Sequence, residues 1–465
     1  MKRTKIVATI SDKRCDVEFL KELYEAGMNV VRLNTAHQTL DEAMKVIRNV
    51  RAVSPQIALL IDTKGPEVRT CDITVPLRVE KGEILYMTGN RQLIGENLIH
   101  VSYEYFVKDV QAGDKILVDD GDVELIVREK QEDRLVLVAS NSGEIKDKKS
   151  INVPGVNMHL ESLSEKDKKF ILFAIENHLD FIAHSFVRNK EDIMEIQRIL
   201  DEYESDIKII AKIENQEGVD HIDEILDHAY GVMVARGDLA IEIDAEKIPR
   251  LQRMIVNKCI ESKKPVIVAT QMLHTMIDHP RPTRAEVSDI ANAVFSGTDA
   301  IMLSGETAYG DYPIEAVRVM SRVAEANEST LSPDVNRNLV RINNEITAAL
   351  ARVAVRMTTM LPIKAIVVDT NSGRTARYLS AFRGGLPVYA RCYNEQVMRE
   401  LALSFGVRPY FSMKPTSRDE FMRDIPQMLL NSGYGPEDQI LVIGGSFGHV
   451  RGASFLEVCK ISDIE

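Results

Sequence analysis

Short apolar runs alternate with longer amphipathic stretches over most of this chain. Lys5–Ile10, Asn29–Thr35 and Ile57–Thr63 are short and apolar, which predicts strands. Val17–Ala26 and Leu40–Val53 carry apolar residues at helical spacing, and Gly27 supplies a helix stop. After an interruption the rhythm resumes at Ser164, which with Asp167 has capping-box spacing. Helices predicted at Glu165–His178, Glu191–Tyr203, His221–His228, Pro249–Ser262, Arg284–Phe295 and Ile314–Glu328 then separate further strands. Those strands are Asp180–Phe186, Ile207–Asn215, Gly231–Asp238, Pro265–Gln271 and Ala300–Ser304. Eight such units predict an α/β fold, a closed (β/α)8 TIM barrel, with an open doubly wound sheet as the alternative.

The interruption, about Thr70 to Pro154, shows no helical pattern. Turn signals separate β-like runs at Leu77–Val79, Ile84–Met87, Lys115–Val118, Val123–Val127 and Leu135–Val138. This predicts a small all-β domain that could act as a lid. Asp334–Arg341 reads as a linker. Beyond it, a helix at Glu345–Met357 and strands at Ala365–Asp369, Pro387–Ala390 and Gln439–Ile443 predict a smaller α/β domain. The expected domains are a discontinuous barrel (1–69 and 155–333), a β lid (70–154) and a C-terminal domain (334–465).

Polar residues collect where the apolar strands end. They include Arg32 and Asn34, Asp62 and Thr63, His184 and Ser185, and Lys212 and Glu214. Arg236 and Asp238, Thr270 and Gln271, and Ser304 and Glu306 follow. In a parallel barrel these ends meet on one face. Lys212 and Glu214, two apart on a strand, point to one side. A simple Lys–Glu ion pair would explain those two alone, but not seven polar ends out of eight. The cations suit phosphate or carboxylate, and the carboxylates suit a hard divalent ion. Neither H-E-x-x-H nor a Walker A loop is present, which favours phosphoryl or enolate chemistry.

Composition adds exclusions. A formal charge of −12 argues against a general nucleic-acid surface. Five scattered cysteines with no C-x-x-C pair indicate neither a disulfide framework nor a zinc site, and a reducing cytoplasm fits. No apolar stretch would span a membrane.

Longer motifs then carry a resemblance. They are TKIVATI at Thr4–Ile10, GMNVVRLN at Gly27–Asn34, DTKGPEVRT at Asp62–Thr70 and KIEN at Lys212–Asn215. VMVARGDLAIEI at Val232–Ile243, PRPTRAEVSDIANAV at Pro280–Val294 and IMLSGETAYGDYP at Ile301–Pro313 extend it. With these the chain resembles the pyruvate kinase family along almost its full length. The resemblance implies transfer of the phosphoryl group of phosphoenolpyruvate to ADP, giving pyruvate and ATP.

By that resemblance, Lys212 neutralises the moving phosphoryl group and Arg32 contacts it. Glu214 and Asp238 hold Mg (or Mn), and N–H groups around Gly237 and Asp238 take the substrate carboxylate. Thr270 helps deliver the proton, while Arg69, His37 and the lid residue Lys149 contact the nucleotide. Asn34, Asp62 and Thr63 hold K, with Ala36 where the family has a serine hydroxyl. Glu67 is the residue of K-dependent members. The family also implies a homotetramer. In the C-terminal domain, Thr370–Ala376 resembles a sugar-phosphate effector loop, with Ser372, Gly373 and Thr375 as its contacts; an ordinary capped turn is the alternative. A catalytically silent phosphoenolpyruvate sensor and a metal-dependent lyase are the competing functions. The intact Lys212, Glu214 and Asp238 weigh against the first, and the lid with Lys149 against the second.

Overall fold

The computed structural model describes residues 2–36, 38–445 and 452–464. Eight parallel strands form its centre: β1 (Lys5–Thr9), β2 (Val30–Asn34), β3 (Ala58–Asp62), β4 (Phe181–His184), β5 (Lys208–Ile213), β6 (Gly231–Ala235), β7 (Val266–Ala269) and β8 (Ala300–Leu303). They pair in sequence order, and β8 returns to β1 to close the barrel. The helices predicted at Val17–Ala26, Leu40–Val53 and Arg284–Phe295 form with those bounds. Gly27 adopts φ 119°, which only glycine reaches without strain, and ends the first of them. Ser164 and Asp167 make the capping box at the start of Glu165–Glu176.

Alternation along the strands builds two cores. Val7, Val30, Leu60, Ala183, Ile210 and Met233 point inward and fill the barrel. Their neighbours, such as Ile6, Val31, Leu59 and Ile209, point outward against the helices. Strands β6 and β7 stop short of their predicted polar ends, whereas Arg32, Asp62 and Lys212 lie within β2, β3 and β5. Arg236–Asp238 forms the first turn of a helix, Arg236–Glu242, rather than a strand end. Thr270 and Gln271 leave β7 in the left-handed region, at φ 70° and 53°.

The insert closes as a second barrel of seven strands, among them Val68–Cys71 and Ser150–Asn152. It also holds one short helix, Phe106–Asp109, where no helix was expected. Phe106 and Val107 are buried in the insert's own core, so packing fixes a turn too short to show a period.

The C-terminal domain is a five-stranded sheet of four parallel strands and one antiparallel edge. Two of its strands, Val407–Phe411 and Ala453–Lys460, are absent from the sequence pattern. Both are edge strands, half-exposed, and the first contains Pro409, which an edge tolerates. This domain sits under the barrel floor. Ala402 and Leu403 plug the barrel interior from below, and the Lys5 ammonium donates to the Val407 carbonyl.

Candidate active site

One step above the apolar layers, the same two-residue alternation places Thr9, Arg32, Asp62, Ser185 and Lys212 inside the barrel mouth. Five polar side chains from five strand ends thus form one layer. Lys212 lies at its centre. Its Nζ donates to Ser185 Oγ at 2.7 Å, and lies 2.9 Å from Glu214 Oε1 and 3.4 Å from Asp62 Oδ2. Burial alone would lower the ammonium pKa, but Asp62 and Glu214 outweigh it and hold the group charged, above its ordinary range. Arg32 donates to Asp62 and, at 3.0 Å, to Thr9 Oγ1. Burial likewise opposes ionisation of Asp62, but Arg32 and Lys212 keep its carboxyl below the usual value.

Glu214 is buried, and Phe186 N–H donates to its Oε2 at 2.6 Å. Asp238 stands beside it. Burial first, then the Glu214 charge, pushes the Asp238 carboxyl up to about 7. An acidic pair in which one carboxyl is held up by the charge of the other suits a cation between them. Among the described residues no group of three or more His, Cys, Asp or Glu is placed to hold a metal. A donor set of two carboxylates suits Mg²⁺ that takes its remaining ligands from substrate and water. Asp62 Oδ1 is buried without a hydrogen-bond partner, the kind of acceptor that suits a monovalent cation. Asn34 Oδ1 accepts from Ala36 N–H at 3.2 Å, and Thr63 Oγ1 lies 3.2 Å from His184 Nδ1 and accepts from Ser185 N–H.

Thr270 stands across the mouth. Its hydroxyl donates to the Ala269 carbonyl at 2.6 Å and accepts from Gly237 N–H at 2.8 Å. One of the N–H groups expected to take a carboxylate is therefore bonded to the expected proton-delivery residue.

Other candidates sit apart. Arg69 pairs with Glu67 at 2.6 Å, and Lys149 with Asp119 at 2.7 Å, both on the lid side. Ser372, Gly373 and Thr375 lie in the C-terminal domain. His37 falls outside the described residues.

The plain structural reading holds for two strand-end residues. Arg236 binds the Thr270 carbonyl at 2.6 Å and Asp289 at 2.7 Å, so it frames the left-handed turn rather than facing a ligand. Glu306 accepts from Leu273 and Ser304 N–H groups. Sequence reasoning gave no part to Thr9 or to the Phe186 N–H. Thr9 stands two residues beyond the inward Val7, which was the signal available; a backbone donor leaves none.

A closed parallel barrel with buried cations and paired carboxylates at the C-terminal mouth, carrying a second barrel as an insert, defines an enzyme acting on an anionic substrate. The family model described as pyruvate kinase, barrel domain, matches residues 1–317, and that for the pyruvate kinase alpha/beta domain matches 348–459. Pyruvate kinase of Borreliella burgdorferi is 47% identical over 99% of this chain and 98% of its own. That of Bacillus licheniformis is 42% identical over 100% of this chain and 81% of its own. The crystal structure of a pyruvate kinase from Cryptosporidium parvum superposes with TM-score 0.93 at 34% identity, over 99% of this chain and 96% of that one. The chain belongs to the pyruvate kinase family and is a phosphotransferase.

Proposed function

We propose that the chain transfers the phosphoryl group of phosphoenolpyruvate to ADP, giving pyruvate and ATP, with Lys212 at the centre of the transfer. The observation that carries this is the Lys212 ammonium, buried between Asp62 and Glu214 with Arg32 on the same layer. An ADP phosphate oxygen attacks phosphorus, and the phosphorus–oxygen bond to the substrate breaks. Lys212 and Arg32 offset charge on the phosphoryl oxygens in that transition state. The electron pair left on the enolate takes a proton at carbon, and Thr270 helps deliver it. N–H groups around Gly237 and Asp238 orient the substrate carboxylate. Arg69, Lys149 and His37 hold the nucleotide, and the 70–154 lid closes over it and excludes water.

Glu214 and Asp238 hold Mg²⁺ or Mn²⁺, which supplies Lewis-acid charge at the substrate oxygens when bound. Asn34, Asp62 and Thr63 hold K⁺, with water or a backbone carbonyl replacing the hydroxyl that Ala36 lacks. A coupled assay with phosphoenolpyruvate, ADP and Mg²⁺, run with and without K⁺, tests the reading. No ATP formation would end it, and full turnover without K⁺ would remove the monovalent site.

A second reading concerns the C-terminal loop as a sugar-phosphate site. The helix Arg374–Ala381 begins at Gly373, at φ 71°, so among the described residues no N-cap side chain serves its first N–H groups. A titration of sugar phosphates against the substrate saturation curve tests it; an unmoved curve with every one removes it. The assembly expected is a cytoplasmic homotetramer. Ile346 and Val353, exposed and seven apart on the helix Glu345–Met357, fit a buried contact, and light scattering decides the number of copies.

A further inference from the structure

A cavity of about 120 Å³ opens at the root of the lid, apart from Lys212, Asp238 and Thr270. Its walls are the outgoing linker at Pro66–Val68, the returning linker at 155–160, and barrel loops at Phe186, Arg188 and Asn215–Glu217. A cavity of ~150 Å³ with apolar walls takes up benzene, so this one is sized for a single six-membered ring. Val68, Val156, Met158, Leu160 and Phe186 supply the apolar wall.

The polar part of the lining is acidic. Glu67, Glu217 and Glu242 line it, and among the described residues Arg188 is its only basic side chain. Arg188 is paired with Asp192 and donates to the Met158 and Leu160 carbonyls at 3.2 and 3.0 Å. Glu67 is neutralised by Arg69. Among the described residues Glu242 accepts from neutral donors, the Asn152 side chain and Gly155 N–H. An apolar slot edged by carboxylates selects a donor-bearing cation.

We propose that this cavity binds a small organic monocation, an ammonium carried on one ring, and that its occupant restrains the lid. The ring lies against Val156 and Phe186, and the ammonium faces Glu242. Restraint follows from the walls, since both lid linkers contribute to one cavity together with the barrel rim. Phe186 links it to the chemistry. Its ring lines the cavity while its N–H holds Glu214, and it sits in the left-handed region at φ 55°. The effect on turnover rests on the phosphoryl-transfer reading; the binding does not.

Ligand-observed NMR on the full chain, with benzylamine as the probe and benzyl alcohol and benzoate as controls, tests this. Benzylamine binds, and both controls bind at least fivefold more weakly. Glu242→Gln reduces benzylamine to the level of benzyl alcohol, and Val156→Phe, which fills the slot, removes it. Benzylamine also slows amide hydrogen exchange at 67–68 and 155–160 in the parent chain, a readout independent of how the variants fold. No benzylamine signal, a signal matched by benzoate, or exchange unchanged at both linkers overturns the proposal. None of these readouts uses turnover, so an inactive coupled assay and a failed binding test are separate results.

Discussion

At the scale of the residue, the site depends on one buried ammonium with more acidic neighbours than it can neutralise. Lys212 is charged because Asp62 and Glu214 outweigh its burial, so it is positive before any substrate arrives. Preorganised charge of this kind stabilises a phosphoryl-transfer transition state without reorganisation. Lys212→Met is expected to lower kcat by a factor of about 10³ or more while the KM for phosphoenolpyruvate moves far less, measured by steady-state kinetics. An undiminished kcat would show that the ammonium only balances Asp62. The Glu214–Asp238 pair gives a second expectation. A ligand that binds only the folded chain raises its stability, by roughly 2.7 kcal/mol at a hundredfold excess over Kd. Mg²⁺ should therefore raise the thermal midpoint of the parent by a few degrees, and Asp238→Asn should lose that rise, read by scanning fluorimetry. An equal rise in the variant would place the ion elsewhere.

At the scale of the element, β1 carries a conflict between its two ends. Thr9 serves the mouth, while Lys5 at the floor is buried and donates to the Val407 carbonyl. Burial, aided by Lys2 and Arg408, lowers the Lys5 pKa from 10.5 to about 7. Below pH 7 the ammonium is charged in both folded and unfolded chain, and the folded state carries the whole burial penalty. Above pH 10.5 it is neutral in both, and the penalty is gone. Lys5→Met is therefore expected to be the more stable chain at pH 7, by a few kcal/mol at ~1.4 per pKa unit. Its advantage should shrink between pH 7 and 10.5 in urea unfolding; an advantage constant with pH would assign the effect to packing. The elements also show what the sequence made legible. Lys212 and Glu214 could be paired by counting along one strand, and Leu40–Val53 found by its period, whereas the Thr39 capping box at its start was not read. Asp62 as the partner of both Arg32 and Lys212 could not, because that contact crosses three strands whose register no local pattern records. The edge strands of the C-terminal sheet were hidden for the opposite reason: exposure removes the alternation on which a prediction rests.

At the scale of the whole molecule, charged residues at the barrel floor join the catalytic and C-terminal domains. Asp180 is fully buried at the start of β4 and accepts from Arg399 at 2.6 Å, Arg51 at 3.2 Å and Leu59 N–H at 2.8 Å. Arg383 bonds Asp299 at 2.7 Å in the same plane, and Lys208 lies 3.6 Å from Glu400. The sequence pattern assigns these residues no part, since each partner lies in a distant part of the chain. Removing one partner of a buried ion pair is costly when the other charge is left alone. Arg399→Met leaves Asp180 with Arg51 and a backbone donor, so the loss is expected to be about 1–3 kcal/mol rather than the full penalty. Arg399 lies at the opposite end of the barrel from Lys212, so the loss should appear as faster hydrogen exchange in the segment Glu395–Leu403 with kcat unchanged. A variant with intact exchange but reduced kcat would show that the floor contacts carry information to the mouth rather than only fastening the two domains.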